Sequence, residues 1–300
     1  KKGKIELLKC KTMNLRGNAP SNRLIKIKAS HYILAAGGIG SPAVLLRSES
    51  KSLNPHGLVG TRTFLHPVNL SGAIMPKKIS GEFGAPQTIF SDHYINTRLD
   101  NQRSGFKLEC PPLQPMLVAT NLEGHGKFHS KIMKQRPFLQ VIIALQRDGF
   151  HPDSSGGRVF LKKDGTPGLD YKISKYAWDG IRDAFEVMAE IQFAAGAKAV
   201  APVHRDAGLY YSLGNLKKAI ISLPMEILKA RLFSAHVMGG CPMGEDPEYS
   251  VVNSNGRHHE VENLSIFDGS VFPTSIAANP MESIFATSGK FSTELAKKLS

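Results

Sequence analysis

HVMGGCPMGEDPEYSVVNSNGRHHEVENLSIFDGSVFPTSIAANPMESIFATSGKFSTELAKKL, His236 to Leu299, is the stretch whose reading decides the fold. Within it, residues 264–267 (Leu-Ser-Ile-Phe) are a short apolar run closed by Asp268-Gly269-Ser270, the pattern of a buried strand entering a tight turn. Further on, Asn279-Pro280 precedes Ile284, Phe285, Ser288, Phe291 and Leu295 at helical spacing. Asn is a preferred N-cap and Pro is favoured at the first helical position, so the sequence predicts a helix that starts at Pro280 with Asn279 as its cap. The free N–H groups and the positive dipole end of that helix would face an anion, or a ring that becomes anionic during a reaction. His236 and Asn279, each beside turn-forming residues, are the two candidates for chemistry.

Working outward, a second informative stretch lies near the start. Tyr32-Ile33-Leu34-Ala35-Ala36-Gly37-Gly38-Ile39-Gly40-Ser41-Pro42, followed by Val44-Leu45-Leu46, reads as a buried strand, a glycine turn and a helix after Pro42. Linked to it in order are Val59-Gly60, His66-Pro67, His236 with Gly239-Gly240-Cys241 and Met243-Gly244, Ser250-Val251-Val252, and Glu262-Asn263-Leu264. Asp268-Gly269-Ser270-Val271-Phe272-Pro273-Thr274 and Asn279-Pro280 complete the series. So many linked pieces in one order resemble the glucose–methanol–choline (GMC) oxidoreductases, which are FAD enzymes. The resemblance runs over most of the chain and is weakest in its middle.

The resemblance implies an α/β (α+β) fold: part of an FAD-binding Rossmann-like domain plus a substrate domain with an antiparallel sheet and helices. Residues 1–65 and 236–300 would be FAD-domain segments, the second bearing the active site, and residues 66–235 the substrate domain. The family's FAD pyrophosphate sits on a Gly-x-Gly-x-x-Gly turn, and no such turn occurs in this sequence. The chain therefore reads as the C-terminal part of a longer protein, without the N-terminal Rossmann half. By position, His236 matches the family's active-site base. Asn279 matches its second catalytic position, which makes the pair similar to the choline-oxidising and sterol-oxidising branches and unlike the His–His pair of glucose oxidase. Asp268 and Gly269 fall near the cofactor's ribityl and pyrophosphate portion, Pro280 and Met281 at its ring, and Ala36, Gly37 and Ser41 in the other matching segment. Two departures stand out: Pro242 where Arg is usual, and Ser283 where Thr is usual.

The implied reaction oxidises an alcohol CH–OH group by hydride transfer to flavin N5, with His236 taking the hydroxyl proton. An imidazole suits that task because its ordinary pKa of ~6.5 lies near working pH. The apolar residues of 216–233, read as a helix broken at Pro224 and either core or a greasy entrance, lean towards a long-chain alcohol or sterol over a sugar. The electron acceptor, oxygen or another, is left unassigned. The alternative is a truncated, non-catalytic chain, or a subunit that needs a separate flavin-binding half.

Composition bounds the remaining classes. The net charge of +13 raises nucleic acid or an anionic membrane as partners, but nine Lys or Arg against Glu6 alone sit in residues 1–30, alternating with apolar residues as in half-exposed strands. No aromatic platform interleaves with them, which argues against nucleic acid and leaves a membrane surface open. Cys10, Cys110 and Cys241 are too few and too far apart for a disulfide framework or a metal site, so a reducing, cytoplasmic compartment is expected. Strands are expected at 4–10, 23–28, 68–75, 137–146 and 158–162, and a packing helix over 176–197 with Ile181, Ala184, Phe185, Met188, Ile191 and Ala195 inward. Residues 83–115 read as long loops. His66 reads equally as core, loop or functional, while His258 and His259 read as exposed. His125 and His129 stand four apart but lack a third ligand.

Overall fold

The computed structural model describes residues 3–48, 50–85, 87–96, 103–122 and 124–300. Lys1 and Lys2 of the basic start, and residues 86 and 97–102 of the expected loop region, lie outside the described residues.

Two apolar strands decide the larger layer. β4 (Val68–Ile74) and β7 (Leu139–Gln146) pair antiparallel from Val68 opposite Leu145 to Ile74 opposite Leu139. β6 (Phe106–Glu109) adds to the other edge of β7, β5 (Phe90–Ser91) lies beyond it, and β10 (Ala199–Pro202) flanks β4. The sheet order is β10-β4-β7-β6-β5, antiparallel throughout. α4 (Lys175–Ala194) covers one face with Ile181, Ala184, Phe185 and Met188, all fully buried. Ile181, Phe185 and Met188 each contribute about 1.5–3 kcal/mol of burial. Ser174 caps α4 by accepting the Ala177 N–H, and Gly196 ends it at a φ of +86°. The buried stripe continues through Gln192, not the expected Ile191: its amide meets Ser71 and Gln140, so the polar group is satisfied inside.

The smaller layer is organised by a parallel pair, β3 (Tyr32–Leu34) with β11 (Leu264–Ile266). Tyr32, Leu45, Val59, Cys241, Val252, Leu264 and Ile266 form its core, closed by Phe291 and Leu295 of α6 (Met281–Leu299). The hairpin of β1 (Leu8–Met13) and β2 (Pro20–Ile27) leaves Leu24, Ile25 and Ile27 exposed. Two larger cores thus exist among the described residues, one built from residues between 73 and 230 and one from residues 32–59 and 241–295, with a small third cluster of Val68, Ile143 and Leu145.

Three expectations need correction. α1 (Gly37–Arg47) does not wait for Pro42: it starts five residues earlier, with Pro42 inside, because the Asp268 carboxylate accepts the Gly37 N–H and fixes the first turn. α5 (Leu213–Ser222) stops before Pro224, as the residue ahead of a proline resists the helical region, and the backbone to Phe233 is not helical. Leu216 and Ile220 are buried in the sheet–α4 core, so they line no entrance. His258 is buried beside the Leu53 carbonyl and His259 is half-buried on Ser250 and Gly244, so both tie loops together instead of facing solvent.

Candidate active site

The site forms where the chain passes between the two cores. Phe64 and Met238 exchange backbone hydrogen bonds of 2.7 and 3.0 Å. The pairing is antiparallel, so two residues out from Phe64 and two back from Met238 fall opposite one another: His66 and His236. Gly239 makes the close crossing feasible. Its φ is +78°, and a Cβ there would stand 1.9 Å from the Arg62 carbonyl oxygen.

The two imidazoles meet through Nδ1, 3.1 Å apart. His66 is fully buried at a φ of +52°, its backbone N–H facing the Asp148 carboxyl, and its Nε2 has no partner. Burial first, then the neighbouring His236 and Lys107, push its pKa down to about 3. His236 is half-buried, and its pKa is lowered too, chiefly by burial and also by Lys107, against an opposing pull from Glu109. Behind His66, burial raises the Asp148 carboxyl, and the Tyr171 hydroxyl donates to it. Both histidines are therefore neutral near pH 7 and share a single Nδ1 proton. When His236 carries it, His66 is the acceptor and the Nε2 lone pair of His236 is free to take a proton.

Asn279 faces the same place from the start of α6, but it does not cap the helix. α6 begins at Met281 behind Pro280, and no side chain caps its N-terminus. The Asn279 amide instead turns across to β6: Lys107 Nζ donates to its Oδ1 at 3.3 Å, and its Nδ2 donates to Glu109 Oε2 at 3.4 Å. A buried ion pair draws the amide more strongly than orphan helix N–H groups one residue too far along. Lys107 and Glu109 are themselves 3.2 Å apart. Lys107, which lowers both histidines, and Glu109, which opposes it at His236, are thus the charges that hold Asn279.

The remaining sequence candidates gather in a second cluster. Asp268 Oδ2 accepts from the Gly37 N–H (2.9 Å) and Ser41 Oγ (2.5 Å), while Oδ1 accepts from the Ser270 N–H (2.8 Å). Ser41 Oγ in turn accepts the Ala36 N–H at 3.0 Å. Asp268 and Ser41 therefore direct their polar atoms to the entry of α1, and Gly269 is buried beneath Ile284. Ala36 is exposed, and open space lies where a Cβ of Gly37 would stand. Pro280 is buried, while Met281 is 62% exposed. The clusters adjoin: the Val237 carbonyl, next to His236, lies against Gly38 and Gly269.

Three residues of this site were missed by sequence reasoning. Lys107 and Glu109 stand two apart in Phe-Lys-Leu-Glu, so a strand puts both on one face, a signal hidden by the reading of residues 83–115 as loops. His66 was seen without a role. Among the described residues no group of three His, Cys, Asp or Glu is placed to hold a metal ion. No helix there is long and apolar enough to cross a membrane.

Comparison with known proteins adds to this geometry. Residues 152–288 match the family model described as GMC oxidoreductase. The long-chain-alcohol oxidase FAO4B of Arabidopsis thaliana is 27% identical over 290 residues, covering 91% of this chain and 36% of that protein. FAO4A of the same plant is 26% identical over 84% of this chain and 35% of its own length. The 6'''-hydroxyparomomycin C oxidase of Streptomyces lividus is 25% identical over 91% and 46%. The chain thus spans between a third and a half of these relatives. Among solved structures, pyridoxine 4-oxidase from Mesorbium loti shares the fold at a TM-score of 0.58 with 16% identity, covering 98% of this chain and 55% of that one. A formate oxidase of Aspergillus oryzae, studied for FAD modification, does so at 0.62 with 13% identity over 92% and 56%.

Proposed function

Since the chain belongs to the GMC oxidoreductases through residues 152–288, we propose that it carries the substrate-side catalytic residues of an FAD-dependent alcohol oxidation, with His236 as the base. The 3.1 Å contact between His66 and His236 carries this reading. His66, kept neutral by burial, accepts the Nδ1 proton of His236 and turns the Nε2 lone pair towards the substrate. As His236 takes the hydroxyl proton of an alcohol, that contact becomes a charge-assisted hydrogen bond, about twice as strong as a neutral one. Asn279 has a second Nδ2 hydrogen beyond the one given to Glu109, and it donates to the substrate oxygen.

FAD would supply the hydride acceptor. The residues present suit its ring end: exposed Ala36, the open space at Gly37, and the N-terminus of α6 at Pro280 and Met281. Asp268, Gly269 and Ser41 shape that face from behind. The pyrophosphate end finds no Gly-x-Gly-x-x-Gly turn in this sequence. The names of the Arabidopsis relatives favour a long-chain primary alcohol as substrate. A second reading, a chain that works only beside a separate flavin-binding half, draws on the apolar surface of Ile33, Met281 and Phe285, exposed by 50%, 62% and 68%.

Anaerobic mixing of the flavin-loaded, full-length protein with primary alcohols of increasing chain length tests the first reading. Long-chain alcohols should bleach the flavin, and His236→Ala should keep the flavin while bleaching ~10²–10⁴-fold more slowly. Equal bleaching rates would remove His236 from the reaction. Bleaching by the 300 residues alone would remove the second reading.

A further inference from the structure

The ion pair of Lys107 and Glu109 is not explained by stability. The two side chains are only 13% and 2% exposed, and burying such a pair costs as much desolvation as its attraction returns. It also holds the amide of Asn279, two residues ahead of α6. We propose that Lys107 and Glu109 are positioning residues that lock the Asn279 amide in a single orientation, so that one fixed N–H faces the substrate oxygen. An ammonium has donors only and an ionised carboxylate acceptors only. With Lys107 Nζ at 3.3 Å from Oδ1 and Glu109 Oε2 at 3.4 Å from Nδ2, the flipped amide would set donor against donor and acceptor against acceptor. An amide between neutral neighbours has no such preference. Glu109 occupies one Nδ2 hydrogen and leaves the other for the substrate oxygen. The inference rests on the role given to Asn279 above.

Flavin-reduction rates of the full-length, flavin-loaded protein with a primary alcohol test it, in Lys107→Met, Asn279→Ala and the double variant. Lys107→Met should slow reduction by about 10-fold to 100-fold, the scale of a misplaced catalytic contact. The double variant should be no slower than Asn279→Ala alone, because Lys107 acts through that amide. Losses that multiply would overturn the proposal. Lys107→Met leaves Glu109 as a lone buried charge and risks misfolding, so Lys107→Met/Glu109→Leu, with no lone charge, is the second variant, and the same masking by Asn279→Ala is expected. The Asn279 amide protons, assigned by their loss in Asn279→Ala, give a readout independent of turnover. They should shift and exchange faster with solvent in either Lys107 variant, and unchanged resonances would refute the lock. If Asn279→Ala leaves reduction unaffected, the donor role of Asn279 fails, while the amide resonances still decide whether the ion pair holds it.

Discussion

Acidification should destabilise the protein through His66 by a calculable amount. Its pKa is about 3 in the fold against 6.5 in the unfolded chain. A depressed pKa means that the unfolded state binds the proton more readily, so the contribution is complete above pH 6.5 and is lost as pH falls towards 3. At about 1.4 kcal/mol per pH unit, the loss between pH 7 and 5 comes to ~2 kcal/mol. His66→Asn removes the titrating group while tolerating the positive φ, since Asn enters the left-handed region more readily than most residues. Urea unfolding of parent and variant at the two pH values isolates the effect, because the other titrating groups are common to both. The parent should lose ~2 kcal/mol more than His66→Asn. Equal losses would show that His66 is charged or solvated in the fold, and the account of it as a neutral acceptor would fall.

The alcohol-dependent flavin-reduction rate should rise with pH through a single pKa below 6.5 and then level, since burial and Lys107 both lower His236. A controlling pKa above 6.5 in stopped-flow profiles would contradict the base assignment. Gly239→Ala should destabilise by more than about 3 kcal/mol or prevent folding, because its Cβ would fall 1.9 Å from the Arg62 oxygen; a thermal melt close to the parent's would disprove the tight crossing. Ser41→Ala should reduce stability in denaturant titrations by about 1–3 kcal/mol, as buried Asp268 loses a short hydrogen bond. A neutral result would mean that Asp268 finds another partner.

What was legible in the sequence followed local rules. The 3.6-residue apolar period located α4 and its Gly196 stop, though not its Ser174 cap; alternating and apolar runs located β4, β7 and β8 (Arg158–Leu161). The linked motifs singled out His236 through the family resemblance, and the structure adds that Gly239, three residues on, makes the close crossing there. What stayed hidden depended on partners distant in the chain. Nothing near Pro42 announces that a carboxylate 231 residues after Gly37 will start α1. Asn279-Pro280 satisfies the N-cap pattern, yet a charge pair some 170 residues earlier claims the amide. His66 is separated from His236 by 170 residues, so only the strand register reveals the pair.

That register has an architectural meaning. The chain leaves the smaller core beside Phe64 and re-enters it beside Met238, where the outgoing and returning segments exchange hydrogen bonds. Everything between is an insertion whose two ends are already together. Such a segment can be lengthened, recarved or exchanged wholesale without moving its points of attachment. One histidine stands on each side of that seam, so whatever the intervening segment carries is delivered to the same imidazole pair.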